Sequence, residues 1–483
     1  MRIRTLGVVA VGVITLAACS SSTSGHGTRL TGPPSAAGSS APQAGSGAPS
    51  GGASSNCPAS YVAPDPKRPK VALQFTVSDD LSTAQGSEHV EFTPDLPITE
   101  LVFRLTANTA PTVEAGNKIV INSAKADHGG GAPKYDIDGA APSTQGGLLH
   151  IPFAAQIPAG ATVSADITFT LTLGDGSFDR FGRVGVGASR YAWFGSAQPL
   201  LAWEGGHGWH TEPMIQFTAE SATSEAMQTD LTVTAPSSST VIMSGDPADP
   251  GGSGATKTWH STLDSARDVS VAVGPFVVSD STVNGVKLRV GATSADERDQ
   301  LVELFKLAIT EHSKHFGPFP FPSLSVARVP AQGGGIEYPS SILMLDTSKL
   351  VAVHETAHQW FYAMVGDSQA LHAWLDEAFA TYAEQLVDND APPGSALDMP
   401  GDVDKPTASY GDGESAYYAV TYTKGAAALH AARAAVGDAK FDAAIRCYVN
   451  ANAWRIANPS DLATALAGLP AATAVLHKAH ALP

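Results

Sequence analysis

His354-Glu355-Thr356-Ala357-His358 sets two imidazoles four residues apart with a carboxylate between them. In a helix, four residues make one turn plus about 40°, so both rings project from one face and can share a metal ion. Glu355 is turned about 100° from His354, toward a water on that ion. Glu377 follows His358 after 18 intervening residues, room for one helix to end, a loop to turn at Gly366-Asp367 and a second helix to run back. Two His and one carboxylate leave a fourth position open for water, the ligand set of a catalytic zinc. The pattern points to a zinc-activated hydrolase.

Further motifs follow in a set order around this one. Gly334-Gly335-Ile336-Glu337-Tyr338-Pro339 precedes it, Trp374-Leu375-Asp376-Glu377 carries the third ligand, and Tyr422-Thr423-Lys424-Gly425-Ala426 comes after. Weaker landmarks are Arg267-Asp268-Val269 through Gly274-Pro275-Phe276, and Phe316-Gly317-Pro318-Phe319-Pro320. Together these resemble peptidase family M1, the gluzincins of the aminopeptidase N and leukotriene A-4 hydrolase type, over about residues 65 to 470. The resemblance implies that His354, His358 and Glu377 bind one Zn²⁺, a Lewis acid that lowers the pKa of its water toward about 7. It implies that Glu355 is general base and then acid, and that Tyr422 hydrogen-bonds the developing oxyanion. Glu337 would accept the substrate's α-amine, with the Gly334-Gly335 backbone alongside the extended peptide. Glu384, two turns after Glu377, is a candidate support for the metal ligands, and Tyr417 competes with Tyr422. The motif's Asn is here Tyr338, and no β-domain partner for Glu337 is identifiable. The large members' helical-repeat domain has no room before Pro483, so a more open cleft is expected. The activity expected is that of an aminopeptidase, the alternatives being an open-cleft endopeptidase and a non-catalytic envelope lipoprotein that binds through the same scaffold.

The elements that must position these residues are legible as periodicities. Val71–Val77, Leu101–Leu105, Val163–Leu171 and Leu231–Thr234 alternate or run apolar at strand length between Gly, Pro and Asn, which reads as an all-β sandwich or saddle. At Ser294-Ala295-Asp296-Glu297, a capping-box pattern, the period changes to 3.6, and Leu301, Leu304, Phe305, Ala308 and Ile309 carry a helix to Gly317-Pro318. Helical patterns follow at 350–366, 374–388, 415–436 and 460–467, with strands at 325–329 and 341–345. The fold expected is multidomain α+β: an all-β domain at 57–285, then a thermolysin-like, mostly helical zinc peptidase domain at 286–483. His207 and His210, in Gly205-Gly206-His207-Gly208-Trp209-His210, and His128, beside three glycines, lack an evident partner cluster and read as loop histidines.

Of 483 residues, 43% are hydrophobic, enough for a sizeable core, and the formal net charge is −17. That acidity repels phosphate backbones, so a nucleic-acid partner is excluded. Arg2 and Arg4 precede an apolar stretch from Leu6 to Ala18, too short to span a bilayer and suited to a signal peptide at 1–18. It ends in Leu16-Ala17-Ala18-Cys19, like a bacterial lipobox, so Cys19 is expected to carry lipid. Residues 19–56, nearly all Ser, Gly, Ala, Pro and Thr, read as a disordered tether reaching roughly 30 to 35 Å. The location expected is the outer side of a bacterial cytoplasmic membrane, held by the lipid anchor, with a peptide or protein as substrate. Cys57 and Cys447 remain, an even pair whose bridging is left open.

Overall fold

The computed structural model describes residues 57–483 apart from 218, 220–222, 249, 253, 332 and 412. The signal peptide, Cys19 and the tether lie outside the described residues. Among the described residues, no helix is long and apolar enough to cross a membrane.

The first half is built of strands. A six-stranded sheet runs in the order Thr256–Ala266, Met227–Pro236, Lys70–Val77, Thr83–Phe92, Val163–Thr172, Lys118–Ala126. All its pairs are antiparallel except Lys70–Val77 with Met227–Pro236. Lys70–Val77 buries every second residue, so Val71, Leu73, Phe75 and Val77 face inward, as the period of two requires. They meet residues of a four-stranded sheet, Leu101, Phe103, Leu149 and Ile151, and of a five-stranded one, Phe194, Val241 and Val271, in one apolar core. Glu88 is buried among these sheets.

The second half sets helices against another five-stranded sheet, in the order Val277–Val283, Val286–Ala292, Ser323–Arg328, Ser341–Met344, Gly335–Tyr338. The turn at 284–285, where the sequence reading divides the chain, lies between the first two of these paired strands. Ser323–Arg328 runs parallel to both neighbours, whereas Gly335–Tyr338 is an antiparallel edge strand. The helix Ala295–Phe316 starts where Ser294 Oγ accepts the Glu297 amide at 3.3 Å and stops at Gly317, whose φ of +100° suits glycine.

The helix expected over 350–366 is Lys349–Ala357, and the chain then turns through Tyr362 at φ +99°. Trp360, Phe361, Met364 and Val365 are buried on every side, so their apolar spacing reflects a core segment and not a helix. Trp374–Asp388 forms as expected. Between 414 and 436 the helix is continuous but widens to a π-helix at Tyr418–Lys424. Helices at Asp438–Asn452 and Pro470–Lys478 were not expected from the sequence.

Residues 57–62 lie against helices, not strands. Cys57 is disulfide-bonded to Cys447, Val62 N donates to Asn450 O at 3.0 Å, and Trp360 Nε1 donates to the Tyr61 hydroxyl at 3.2 Å.

Candidate metal centre

Ser348 caps the helix Lys349–Ala357, its hydroxyl accepting the Val351 amide at 3.2 Å. The helix is one side of a layer against Ala295–Phe316 and Trp374–Asp388, and its inner face presents His354 and, at the C-cap, His358. The turn after His358 brings the chain back so that Glu377 sits in the first turn of the next helix. Glu377 Oε2 lies 3.3 Å from His354 Nε2 and 3.6 Å from His358 Nε2. Tetrahedral zinc at about 2.0 to 2.1 Å from each donor requires donors roughly 3.4 Å apart.

The outward nitrogens are tied back. His354 Nδ1 lies 3.4 Å from Glu384 Oε2, the support suggested by the two-turn spacing. His358 Nδ1 is hydrogen-bonded to the fully buried Asp376 carboxylate. An Nδ1–H held by a carboxylate turns Nε2 toward the shared point, where it can hold a metal once any proton on it is lost. Burial pushes the His358 ring down to about 3. At His354 burial acts in the same sense, but Glu377 and Glu384 outweigh it and hold the ring up at about 10. The donor set, its spacing and the tied outer nitrogens fit a zinc ion.

Glu355 and Glu337 are both nearly buried, and one carboxylate oxygen of each lies within 4.8 Å of a His358 nitrogen and of the other. The edge strand Gly335–Tyr338 passes directly over Glu355: a Cβ on Gly335 would stand 2.4 Å from Glu355 Cγ. Gly334 precedes that strand, and its carbonyl accepts the Leu345 amide at 2.9 Å. Gln359 fixes the same strand to the metal-bearing segment, donating to Tyr338 O at 3.0 Å and accepting from Ser340 N at 2.9 Å. Tyr338 itself is fully buried and points away, into the strand-rich half, where a Cβ on Gly195 would meet its hydroxyl at 2.0 Å.

The π turn presents Tyr422, whose ring lies parallel to His354 at 6.0 Å and whose hydroxyl is hydrogen-bonded to Glu377. Tyr417 packs on Tyr422 at 5.8 Å, one ring further out. Burial, and then the Glu377 charge, lift the Tyr422 phenol well above its ordinary value, so it stays a neutral donor.

Three residues with no role in the sequence reading also hold the site. Asp376 is one; the signal was its place beside Glu377, at the start of the second helix. His312, in the helix Ala295–Phe316, donates from Nε2 to Val353 O at 2.8 Å, and burial pushes it down to about 4, so it is neutral. Arg267 is buried and donates to the carbonyls of Ser224 at 2.8 Å, Tyr362 at 2.8 Å and Arg455 at 2.6 Å, joining the strand-rich half to the turn after His358. No local pattern marks the partners of His312 or Arg267. The reading of His210 as a loop histidine without partners is corrected: it is 1% exposed and both ring nitrogens face carboxylates, Glu204 and Glu212.

Residues 337–478 match the family model described as the peptidase family M1 domain. The chain is 26% identical over 238 residues to aminopeptidase M1 of Arabidopsis thaliana, covering 41% of this chain and 27% of that protein. It is 28% identical over 228 residues to endoplasmic reticulum aminopeptidase 2 of Homo sapiens, covering 39% and 24%. The chain thus spans about a quarter of the length of these curated relatives. Among solved structures, the M1 zinc metallopeptidase of Deinococcus radiodurans superposes with a TM-score of 0.61 at 20% identity, over 86% of this chain and 94% of that one. A mutant of that protein bound to a Tyr-ser-ala substrate gives 0.62 at 21%, over 86% and 95%. At such identity the likeness is one of fold, a strand-rich half followed by a helical one.

Proposed function

We propose that the chain, whose residues 337–478 match the peptidase family M1 domain, is a zinc-dependent metallopeptidase acting as an aminopeptidase. The observation that supports this most is the convergence of His354 Nε2, His358 Nε2 and Glu377 on one point with both outer ring nitrogens held by carboxylates. A zinc ion held by His354, His358 and Glu377 would supply Lewis acidity to a water and to the scissile carbonyl.

The chain's own residues do the rest. Glu355 takes the proton of the attacking water and returns it to the leaving amine. Tyr422, neutral because buried, donates a hydrogen bond to the carbonyl oxygen as it gains charge. Glu337 accepts the ammonium of the substrate's first residue, so that the first peptide bond lies at Glu355. The Gly334-Gly335 backbone flanks the extended peptide, and the missing side chain at Gly335 is what lets Glu355 lie beneath it. Asp376 and Glu384 orient the two imidazoles.

We further propose that lipidation at Cys19 anchors the protein to the outer face of a bacterial cytoplasmic membrane. A disulfide between Cys57 and Cys447 supports an oxidising compartment. A mature N-terminus whose mass shows unmodified Cys19 would remove the anchor.

The activity is tested with the purified chain, zinc, and peptides bearing free or acetylated N-termini, with Glu355→Ala as the blank and mass spectrometry as the readout. Loss of single N-terminal residues from free peptides only is expected. Internal cleavage of both sets overturns the exopeptidase reading in favour of an endopeptidase. No cleavage above the blank overturns catalysis and leaves a binding protein.

A further inference from the structure

A second group of metal-ligating side chains stands on a β-hairpin of the strand-rich half and shares no residue with His354, His358 and Glu377. Trp203–Glu204 pairs antiparallel with Gly208–Trp209, Trp203 opposite Trp209 and Glu204 opposite Gly208. The reversal between them needs Gly206 at φ +76° and Gly208 at φ +117°, conformations that glycine adopts without strain. The base of the hairpin is fixed, because Trp203 and Trp209 meet edge to face at 4.7 Å and both pack on Phe92. Its tip is fixed as well: the Gly205 amide donates to Glu225 at 2.7 Å and the Gly206 amide to Asp95 at 2.6 Å.

This frame puts His207 and His210 on one side, their rings parallel within 10° and 4.9 Å apart. His210 is buried, with Glu212 Oε2 3.0 Å from Nδ1 and Glu204 against Nε2. His207 is exposed, and its ring has no hydrogen bond among the described residues, only the stacking on His210. One donor atom each from His207, His210 and Glu212 lies within 4.8 Å of the others. Asp95, Glu204, Glu212 and Glu225 place four carboxyl groups on or against this hairpin, a field that favours a cation.

We propose that His207, His210 and Glu212, with Glu204 beside them, bind one divalent cation of the borderline first-row class, zinc above all. Two imidazoles and a carboxylate suit zinc or its neighbours, whereas magnesium and calcium prefer all-oxygen sets. Side-chain rotation has to close the donors from their present spread to roughly 3.4 Å, a movement the exposed His207 ring is free to make. An entry path exists, because Glu204 and His207 also line a cleft of about 390 Å³ whose other wall carries His372, Asp404 and Ser460 from the helical half. The ion would therefore sit where the strand-rich half meets the helical one, as a staple at the rim of that cleft. Without such an ion, His210 is simply a buried imidazole satisfied by two carboxylates, and His207 adds nothing.

The test is a metal count. The full chain, stripped with chelator and dialysed against micromolar Zn²⁺, is expected to hold two zinc ions by elemental mass spectrometry. His207→Ala alters only an exposed ring and so leaves folding intact; it is expected to hold one, as is Glu212→Gln. His354→Ala should lose the other ion and keep this one. Wild-type counts in both His207→Ala and Glu212→Gln overturn the proposal. A wild-type chain with one ion, lost in His207→Ala and kept in His354→Ala, supports the hairpin site while overturning the catalytic reading, so the two fail separately. Magnesium or calcium displacing the hairpin zinc at equal concentration would also overturn it.

Discussion

At His358 the orientation of the ring toward the shared point depends on one hydrogen bond that the spacing of ligands does not reveal, between Nδ1 and the buried Asp376. Asp376→Asn keeps the shape but replaces a charged acceptor with a neutral one, and outer partners of this kind typically contribute 10- to 100-fold in metal affinity or activity. Chelator competition should therefore show zinc held at least about 10-fold more weakly, with the circular dichroism unchanged. An unaltered affinity would make the pair merely structural. Tyr422→Phe removes a donor to a developing charge, so kcat should fall by about 10²- to 10³-fold while KM moves little. Equal loss in Tyr417→Phe would point to the outer ring instead. Glu88 shows the opposite situation, a carboxyl buried in the apolar core, where burial alone raises its pKa well above the ordinary value. Because the folded form binds its proton more tightly than the unfolded one, this group's contribution is complete below the ordinary carboxyl pKa. It is lost as pH rises from there through the folded value. Melting scans between pH 4.5 and 8 should thus show wild type losing more stability on that climb than Glu88→Gln. Parallel curves would contradict the assignment.

The elements explain which of these residues were legible. His354, Glu355 and His358 stand at fixed offsets on one helix and its C-cap, which helical geometry places, and Glu377 stands in the first turn of a second helix. His312 and Arg267 have no local signature because their partners are 41 and 95 residues away, whereas Asp376, 18 residues from His358, is marked only by its place beside Glu377. The helical spacing over 350–366 outruns the helix itself for a related reason, since an all-round buried segment such as Trp360 to Val365 mimics helical spacing. The short Ala-rich pattern of 470–478 is buried mainly through Ala472 and Leu476, too sparse a stripe to stand out. The edge strand Gly335–Tyr338 passes so close to the helix beneath it that Gly335 leaves no room for a side chain. Gly335→Ala should therefore push Glu355 out of line and cut kcat/KM by 10-fold or more, although alanine is otherwise innocuous in a strand. Gly334→Ala meets only Val351 Cγ2, at 3.9 Å, and serves as the control. If both variants kept full turnover, Glu355 would not be held by that strand.

At the scale of the whole molecule, the chain's two halves are joined by groups far apart in sequence. Arg267 reaches from the strand-rich half to carbonyls at Tyr362, Met364 and Arg455, and the opening segment runs back across the helices. The disulfide of Cys57 with Cys447 closes a loop of 390 residues and locks that segment against the helix Asp438–Asn452. For so long a loop the entropy removed from the unfolded chain sets a ceiling of roughly 6 kcal/mol. The segment also keeps non-covalent holds when the bridge opens, through Val62 to Asn450, Asn450 to Pro58 and Trp360 to Tyr61. Reduction should accordingly loosen the global fold without freeing the segment outright. In urea, the oxidised chain should unfold at a clearly higher midpoint than either the reduced chain or Cys447→Ser, and reductant should have no effect on that variant. A protein with two titratable thiols before reduction, and the same midpoint with and without reductant, would mean that the bridge does not form. The oxidising compartment would then lose its structural support, whereas the metal centre, which shares no residue with the bridge, would stand untouched.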